Sequence, residues 1–215
     1  MAKKDRERRS SGKLPQGKKF LVVVEGLVTE SEYIEAVKRL RRVYRDSIKI
    51  ETGHTDPIGI VNRAKELMRV ACETDGYDEA WCVFDVEAKR DQKSRFGLQE
   101  AYDAAMRTRG KGRIRLAISN PCFEVWLLWH ETNQTGSIAS DTAQHLCKVR
   151  GITDGKHIRD ADALIMNGFN DAKMRASDME QTHERNGIKK LEDKNPSSSI
   201  YELIDAISAA FPPDL

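Results

Sequence analysis

Two short apolar runs in this chain end in acid. Phe20-Leu21-Val22-Val23-Val24 leads directly into Glu25-Gly26, and Ala80-Trp81-Cys82-Val83-Phe84 leads into Asp85-Val86-Glu87. A continuous apolar run of this length describes a strand covered on both faces of a parallel sheet. In such sheets ligands bind in the crevice outside the carboxyl ends of the strands. Glu25, Asp85 and Glu87 are therefore candidate metal ligands and catalytic groups. Asp85 and Glu87 lie one residue apart, so an extended backbone points both to the same side. Mg²⁺ (or Mn²⁺) suits them, because magnesium takes oxygen ligands, keeps several waters and often needs only one or two carboxylates beside a substrate phosphate. A metal so held polarises a phosphoryl oxygen and supplies an activated water. Glu25 would position the metal or move a proton, and Gly26 would let backbone or phosphate approach closely. Glu124 is a fourth candidate, since a carboxylate among aromatic and apolar neighbours needs a partner. Glu30 and Asp91 are weaker candidates; Glu30 lies in the first turn of a helix, where the dipole alone favours a negative charge.

These acids need elements to position them. Thr29-Glu30-Ser31-Glu32 fits a capping box, with Thr29 as N-cap and Glu32 reaching back to its amide. A helix follows, with Tyr33, Ile34, Val37, Leu40 and Tyr44 on one face and Lys38, Arg39, Arg41 and Arg42 largely on the other. Ile48 to Thr52 reads as a second strand, and Asp56-Pro57 opens a second helix. After the Ala80–Phe84 strand comes a helix carrying Leu98, Ala101, Tyr102, Ala105 and Met106, then a fourth strand over 114–119. Asn120-Pro121 reads as an N-cap followed by proline at the first helical position. The alternation predicts an α/β fold, a mostly parallel sheet with helices on both faces. From about residue 132 the strand signal disappears. Helices are expected over 140–149, 160–176 and 178–186, with a last one after Asn195-Pro196 capped by Ser197 or Ser198.

The expected organisation is a basic disordered tail over 1–18, an α/β domain over 19–131 and a helical C-terminal part over 132–215. At 215 residues, 39% hydrophobic and 33% charged, the chain can bury one sizeable core. No apolar stretch is long enough for a membrane span, and no apolar segment follows the N-terminal basic residues as in a signal peptide, so a cytoplasmic protein is expected. Cys72, Cys82, Cys122 and Cys147 form no CxxC pair and no HExxH occurs, which leaves buried reduced thiols as the expectation. The net charge of +2 hides an asymmetry: residues 1–19 carry eight Lys or Arg against two acids. Lys18 and Lys19 in this stretch, and Arg41 and Arg42 on the first helix, are candidate nucleic-acid contacts. Trp126 and Trp129 read as core.

The chain resembles the RloB-like family. The marks are Val23-Val24-Glu25-Gly26 with Thr29-Glu30 and Tyr33, Val83-Phe84-Asp85-Val86-Glu87, Ser119-Asn120-Pro121-Cys122-Phe123-Glu124-Val125-Trp126, and Asn195-Pro196-Ser197-Ser198. The resemblance implies a fold related to the Toprim domains of primases, topoisomerases and overcoming-lysogenization-defect nucleases, a Rossmann-like arrangement. Toprim domains bind Mg²⁺ through a Glu after the first strand and an Asp-x-Asp after a later one; here Glu87 stands at the last of these positions. The implied function is that of a metal-dependent nuclease acting on RNA such as tRNA, or on DNA, as an effector of prokaryotic antiviral abortive infection, commonly beside a partner ATPase. Two alternatives stand beside it: a non-catalytic module that binds nucleic acid or an ATPase, and nucleotidyl transfer at the same metal, for which no Gly-rich phosphate cradle is present. Deleting residues 1–17 is expected to preserve the fold, weaken nucleic-acid binding and flatten its salt dependence, as binding titrations at several salt concentrations would show.

Overall fold

The computed structural model describes residues 17–44, 46–53, 56–72, 76–86, 92–108 and 112–212. The first sixteen residues of the basic tail, and Glu87, lie outside them. In chain order the elements are β1 (Phe20–Val24), α1 (Thr29–Leu40), β2 (Ile48–Glu51), α2 (Pro57–Ala71), β3 (Glu79–Asp85), α3 (Gln92–Met106), β4 (Arg113–Asn120), α4 (Glu124–Leu128), α5 (Ser140–Val149), β5 (Thr153–Asp154), β6 (His157–Ile158), α6 (Ala161–Arg185), β7 (Ser197–Ser198) and α7 (Ile200–Ala210).

Five strands form one sheet in the order β2-β1-β3-β4-β7. The first three pairings are parallel, and β7 alone is antiparallel, against Ser119 and Asn120. The apolar runs are explained by layers on both faces. Phe20, Val22, Val24, Trp81 and Val83 face one core with residues of α1 and α4–α7, while Leu21, Val23, Ala80, Cys82 and Phe84 face a second core with α2 and α3. Every residue of β1 is buried, because successive side chains alternate between two covered faces. The C-terminal helices thus share their core with α1 and the sheet. Among the described residues no helix is long and apolar enough to cross a membrane.

Several local expectations change. Thr29 and Glu32 form no capping box; Val28 is the N-cap of α1 and makes no side-chain cap bond. Instead Thr29 Oγ1 donates to Lys156 O (2.7 Å), and Glu32 accepts from Ile158 N (2.8 Å) and pairs with His157 Nδ1 (2.5 Å). Both residues are spent on the β5–β6 hairpin, whose Gly155 turns at φ +63°, a conformation glycine adopts without strain. Asn120 ends β4 rather than capping a helix, and its Nδ2 donates to Leu191 O (2.8 Å). The helices expected over 160–176 and 178–186 are one continuous α6, capped by Asp160, which accepts from Ala163 N. The expected serine cap of the last helix is a two-residue strand, with Ser199 at the N-cap. Asp56 caps α2 as expected, accepting from Gly59 N (2.8 Å). Tyr44, Tyr102 and Met106 are exposed, as is Cys72; the other three thiols are buried, and burial pushes that of Cys82 up to about 12.

One contact fixes α6 against the segment after α4. A Cβ on Gly168 would lie 2.6 Å from the His130 carbonyl oxygen and 2.7 Å from its Cβ, and neither backbone can yield without moving a whole element. Gly168→Ala is expected to cost about 1–3 kcal/mol by overpacking, lowering Tm by roughly 2–4 °C per kcal/mol. A thermal melt checks this, and an unchanged Tm would mean that α6 can shift freely.

Candidate functional site

β1 and β3 are adjacent in the sheet, yet the chain leaves them in opposite directions, through α1 to β2 on one side and through α3 to β4 on the other. α1 covers one face and α3 the other. The carboxyl ends of β1 and β3 therefore flank the point where the strand order reverses, which is where open α/β sheets form a crevice. Glu25 and Asp85 stand at those two ends.

The backbone holds them together. Glu25 N donates to Val83 O (2.9 Å), continuing the ladder, and the Glu25 carboxylate accepts from Asp85 N (3.1 Å). Asp85 retains some exposed surface but is enclosed by protein atoms, as expected for a group on the floor of a crevice. Burial pushes its carboxyl well above the usual range, and Glu30, Glu124 and Glu25 push it further; the Phe123 amide opposes them. Glu124 thus reaches the same crevice from the start of α4.

Glu30 is the member that its position in the sequence obscures. It is buried, at 7% exposure, and its carboxyl lies over Gly26, where a methyl group would overlap it. Burial raises its pKa, Glu124 and Glu25 raise it further, and the backbone amides of Glu30 and Gly26 pull it down. The close approach that Gly26 permits is that of an acid from its own chain. The helix dipole accounts for Glu30 on local grounds and hides this. The signal in the sequence is the pairing of a strand-end glycine with an acid four residues on.

Rings and hydrogen bonds lock the helices that carry Glu30 and Glu124. Tyr33 of α1 packs edge-on against Phe123, Trp126 and His130. His130 Nδ1 faces Trp126 O (2.9 Å), a pure acceptor, so it carries the proton, and Nε2 accepts from Tyr33 OH (2.9 Å). Burial lowers the His130 pKa to about 4 and raises that of Tyr33, so the pair is neutral. Trp126 and Trp129 are fully buried core residues. The serine-rich end of the chain closes the other flank: Ser119 and Ser198 hydroxyls pair (3.1 Å), while Asn195 donates to Ile138 O and accepts from Ile138 N (2.9 Å each).

Of the predicted site residues, Glu25, Asp85 and Glu124 come together, Glu30 joins them, and Glu87 lies outside the described residues. The predicted nucleic-acid contacts do not join them. Lys18 and Lys19 precede β1, where the Lys18 ammonium lies 3.7 Å from Glu79 and the Lys19 amide donates to Asp78 (2.7 Å). Arg41 and Arg42 follow the last turn of α1, at the same end of the sheet. At about 3.3 Å per residue, the five residues of β1 put roughly 17 Å between these cations and the acids. A groove of about 700 Å³ runs between Tyr102, Arg113 and Tyr201, and none of Glu25, Glu30, Asp85 and Glu124 lines it.

Among the described residues no three His, Cys, Asp or Glu side chains form a ready-made metal cage. The donor chemistry nevertheless fits a hard cation: four carboxyls couple, and no Lys or Arg figures among the main influences on Asp85 or Glu30. Magnesium needs only one or two of them, with waters completing its shell.

A raised carboxyl pKa in the folded state means that the stability it contributes is complete below the unfolded-state value, about 3.9–4.3, and is lost as pH rises through the folded value. Without divalent ions, Asp85→Asn is therefore expected to raise Tm at neutral pH, by roughly 2–4 °C for each kcal/mol of repulsion relieved, and to have little effect near pH 4. Melts across pH in EDTA check the sign; destabilisation at neutral pH would place the Asp85 charge in a supporting role.

No curated protein matches the chain. The family model described as RloB-like protein matches residues 20–207, from the first residue of β1 into α7 and across all four carboxyls. The chain belongs to the RloB-like family.

Proposed function

We propose that the protein is a metal-dependent nuclease that hydrolyses phosphodiesters of RNA such as tRNA, or of DNA. The observation that carries this reading is the gathering of Glu25, Glu30, Asp85 and Glu124 at the strand-order reversal, where burial, Glu124 and Glu25 raise the carboxyls of Asp85 and Glu30 and no Lys or Arg stands among the main influences on those two. Such charge is costly unless protonated or met by a cation. Glu25 and Asp85, with Glu87 next along the chain, would hold Mg²⁺ or Mn²⁺. When bound, the ion supplies polarisation of a phosphoryl oxygen and acidification of a water.

The remaining steps belong to the chain's own groups. The Asp85 amide fixes the Glu25 carboxylate, so one ligand arrives already oriented. Glu30 keeps its proton to higher pH than an ordinary Glu, which suits it to hand a proton to the departing oxygen of the cleaved bond. Glu124, anchored on α4 by the aromatic cluster, is placed to accept the proton of the attacking water. A role in prokaryotic antiviral abortive infection, beside a partner ATPase, is supported by the family resemblance.

Purified protein is expected to cleave tRNA, or a DNA duplex, in Mg²⁺ and not in EDTA. Glu25→Gln and Asp85→Asn should each slow cleavage by about 10²-fold or more, and Glu124→Gln should slow it while Mg²⁺ still raises Tm. Full activity in both of the first two variants would overturn the metal assignment. Binding without cleavage by the wild type would leave a non-catalytic nucleic-acid or ATPase-binding module.

A further inference from the structure

A cleft that gathers carboxyls repels the polyanion it is proposed to cut, so the substrate needs cations elsewhere on the same face. Lys18, Lys19, Arg41 and Arg42 lie at the wrong end of the sheet for this. The β5–β6 hairpin lies at the right one. Its turn residue Lys156 gives its carbonyl to Thr29 Oγ1, one residue from Glu30, and Glu32 in the same turn of α1 holds the amide of Ile158 and the ring of His157. The hairpin is therefore fastened to the turn that presents Glu30. A depression of about 640 Å³ runs from Leu27 and Val28, just past Glu25-Gly26, to His157 and Arg159.

Within this depression two of the four lining acids meet cations, Glu35 by Lys38 (2.8 Å) and Asp162 by Arg39 (2.7 Å), while Glu32 is held by His157 and the Ile158 amide and Asp160 by the Ala163 amide (2.9 Å). Neither Asp154 nor Lys156 is part of the lining; both stand exposed on the hairpin beside it. Lys156 and Arg159 are exposed, and among the described residues neither side chain has an anionic partner. Leu27, 69% exposed at the lip, offers an apolar contact of the kind a base or sugar would cover.

We infer that the β5–β6 hairpin is the site's grip on substrate phosphates, with Lys156 and Arg159 as the contacting cations. This deepens the nuclease reading and rests on it. Phosphate contacts of this kind position a nucleic acid without reading its sequence, so the grip serves RNA and DNA alike. Only the carbonyl of Lys156 and the backbone amide of Arg159 take part in the fold, so both side chains can be removed without loosening the hairpin.

The test is the double variant Lys156→Ala/Arg159→Ala, with Arg41→Ala as the distant control. Anisotropy of fluorescein-labelled tRNA in EDTA at several salt concentrations reads binding directly. The hairpin variant is expected to bind about tenfold more weakly, with a salt slope shallower by about 0.7–0.9 for each phosphate no longer neutralised. Its KM should rise in Mg²⁺, while kcat, Tm and the Mg²⁺-induced rise in Tm stay at wild-type values; the control should match the wild type throughout. A hairpin variant with wild-type affinity and salt slope, alongside a wild type that cleaves, overturns the grip and leaves the nuclease standing. A wild type that neither binds nor cleaves tRNA or duplex DNA overturns both.

Discussion

The constraint that governs this molecule is like charge held in one place. Two unit charges about 4–6 Å apart repel by about 3–4 kcal/mol at an effective dielectric of about 20, against a net stability of roughly 5–15 kcal/mol for a typical domain. Asp85 and Glu30, whose pKa values rise through burial and through Glu25 and Glu124 beside them, are costly to ionise there together. The raised pKa values of Asp85 and Glu30 lessen this cost, because a protonated carboxyl carries no charge to repel its neighbours. A metal bound at these oxygens, as proposed, would compete with the protons, which would link its affinity to pH.

Repulsion of that size would open a loosely built cleft, and the surrounding structure is not loose. Glu25 and Asp85 extend from central, fully covered strands joined by a continuous parallel ladder. Glu30 and Glu124 ride on helices clamped together by Tyr33, Phe123, Trp126 and His130, where one neutral Tyr–His hydrogen bond satisfies both polar ends. Burial of so many aromatic and aliphatic side chains, each contributing about 1.5–3 kcal/mol, is what keeps the acids from separating. The same packing explains the length of α6, which crosses behind α4 at Gly168 and donates from Arg175 Nη1 to Trp129 O (2.5 Å).

The parts legible in the sequence are those in which local pattern and tertiary role coincide. A run of apolar residues ending in acid describes β1 and β3 without reference to anything distant, and Asp56-Pro57 caps α2 from three residues away. Where a side chain serves a distant partner, the local reading fails. Thr29 and Glu32 have the types and spacing of a capping box, but the groups that claim them lie on the β5–β6 hairpin, well over a hundred residues along. Asn120 likewise bonds Leu191 rather than its own helix. Strands as short as β5, β6 and β7 carry too few residues for any period to register. Glu30 shows a subtler difficulty: the helix dipole already explains an acid at that position, so the sequence ranks it below the strand-end acids although it is buried beside them.

Charge is the hardest property to place, because composition counts residues while function depends on which end of a strand they reach. The basic tail and the basic face of α1 dominate the sequence, yet Lys18, Lys19, Arg41 and Arg42 lie away from the acids, since in a parallel sheet the residues before a strand and those after the helix that follows it lie at the same, opposite end. The hairpin has a modest local charge and attracts no notice in the sequence. It becomes prominent only when Lys156 and Arg159 are found exposed, without an anionic partner among the described residues, beside the turn that carries Glu30. That turn joins the two halves of the chain: Glu30 faces the strands of the first, while Thr29 and Glu32 hold the hairpin of the second. A displacement of the hairpin would therefore be transmitted to the Glu30 carboxyl, and through it to the charge on Asp85.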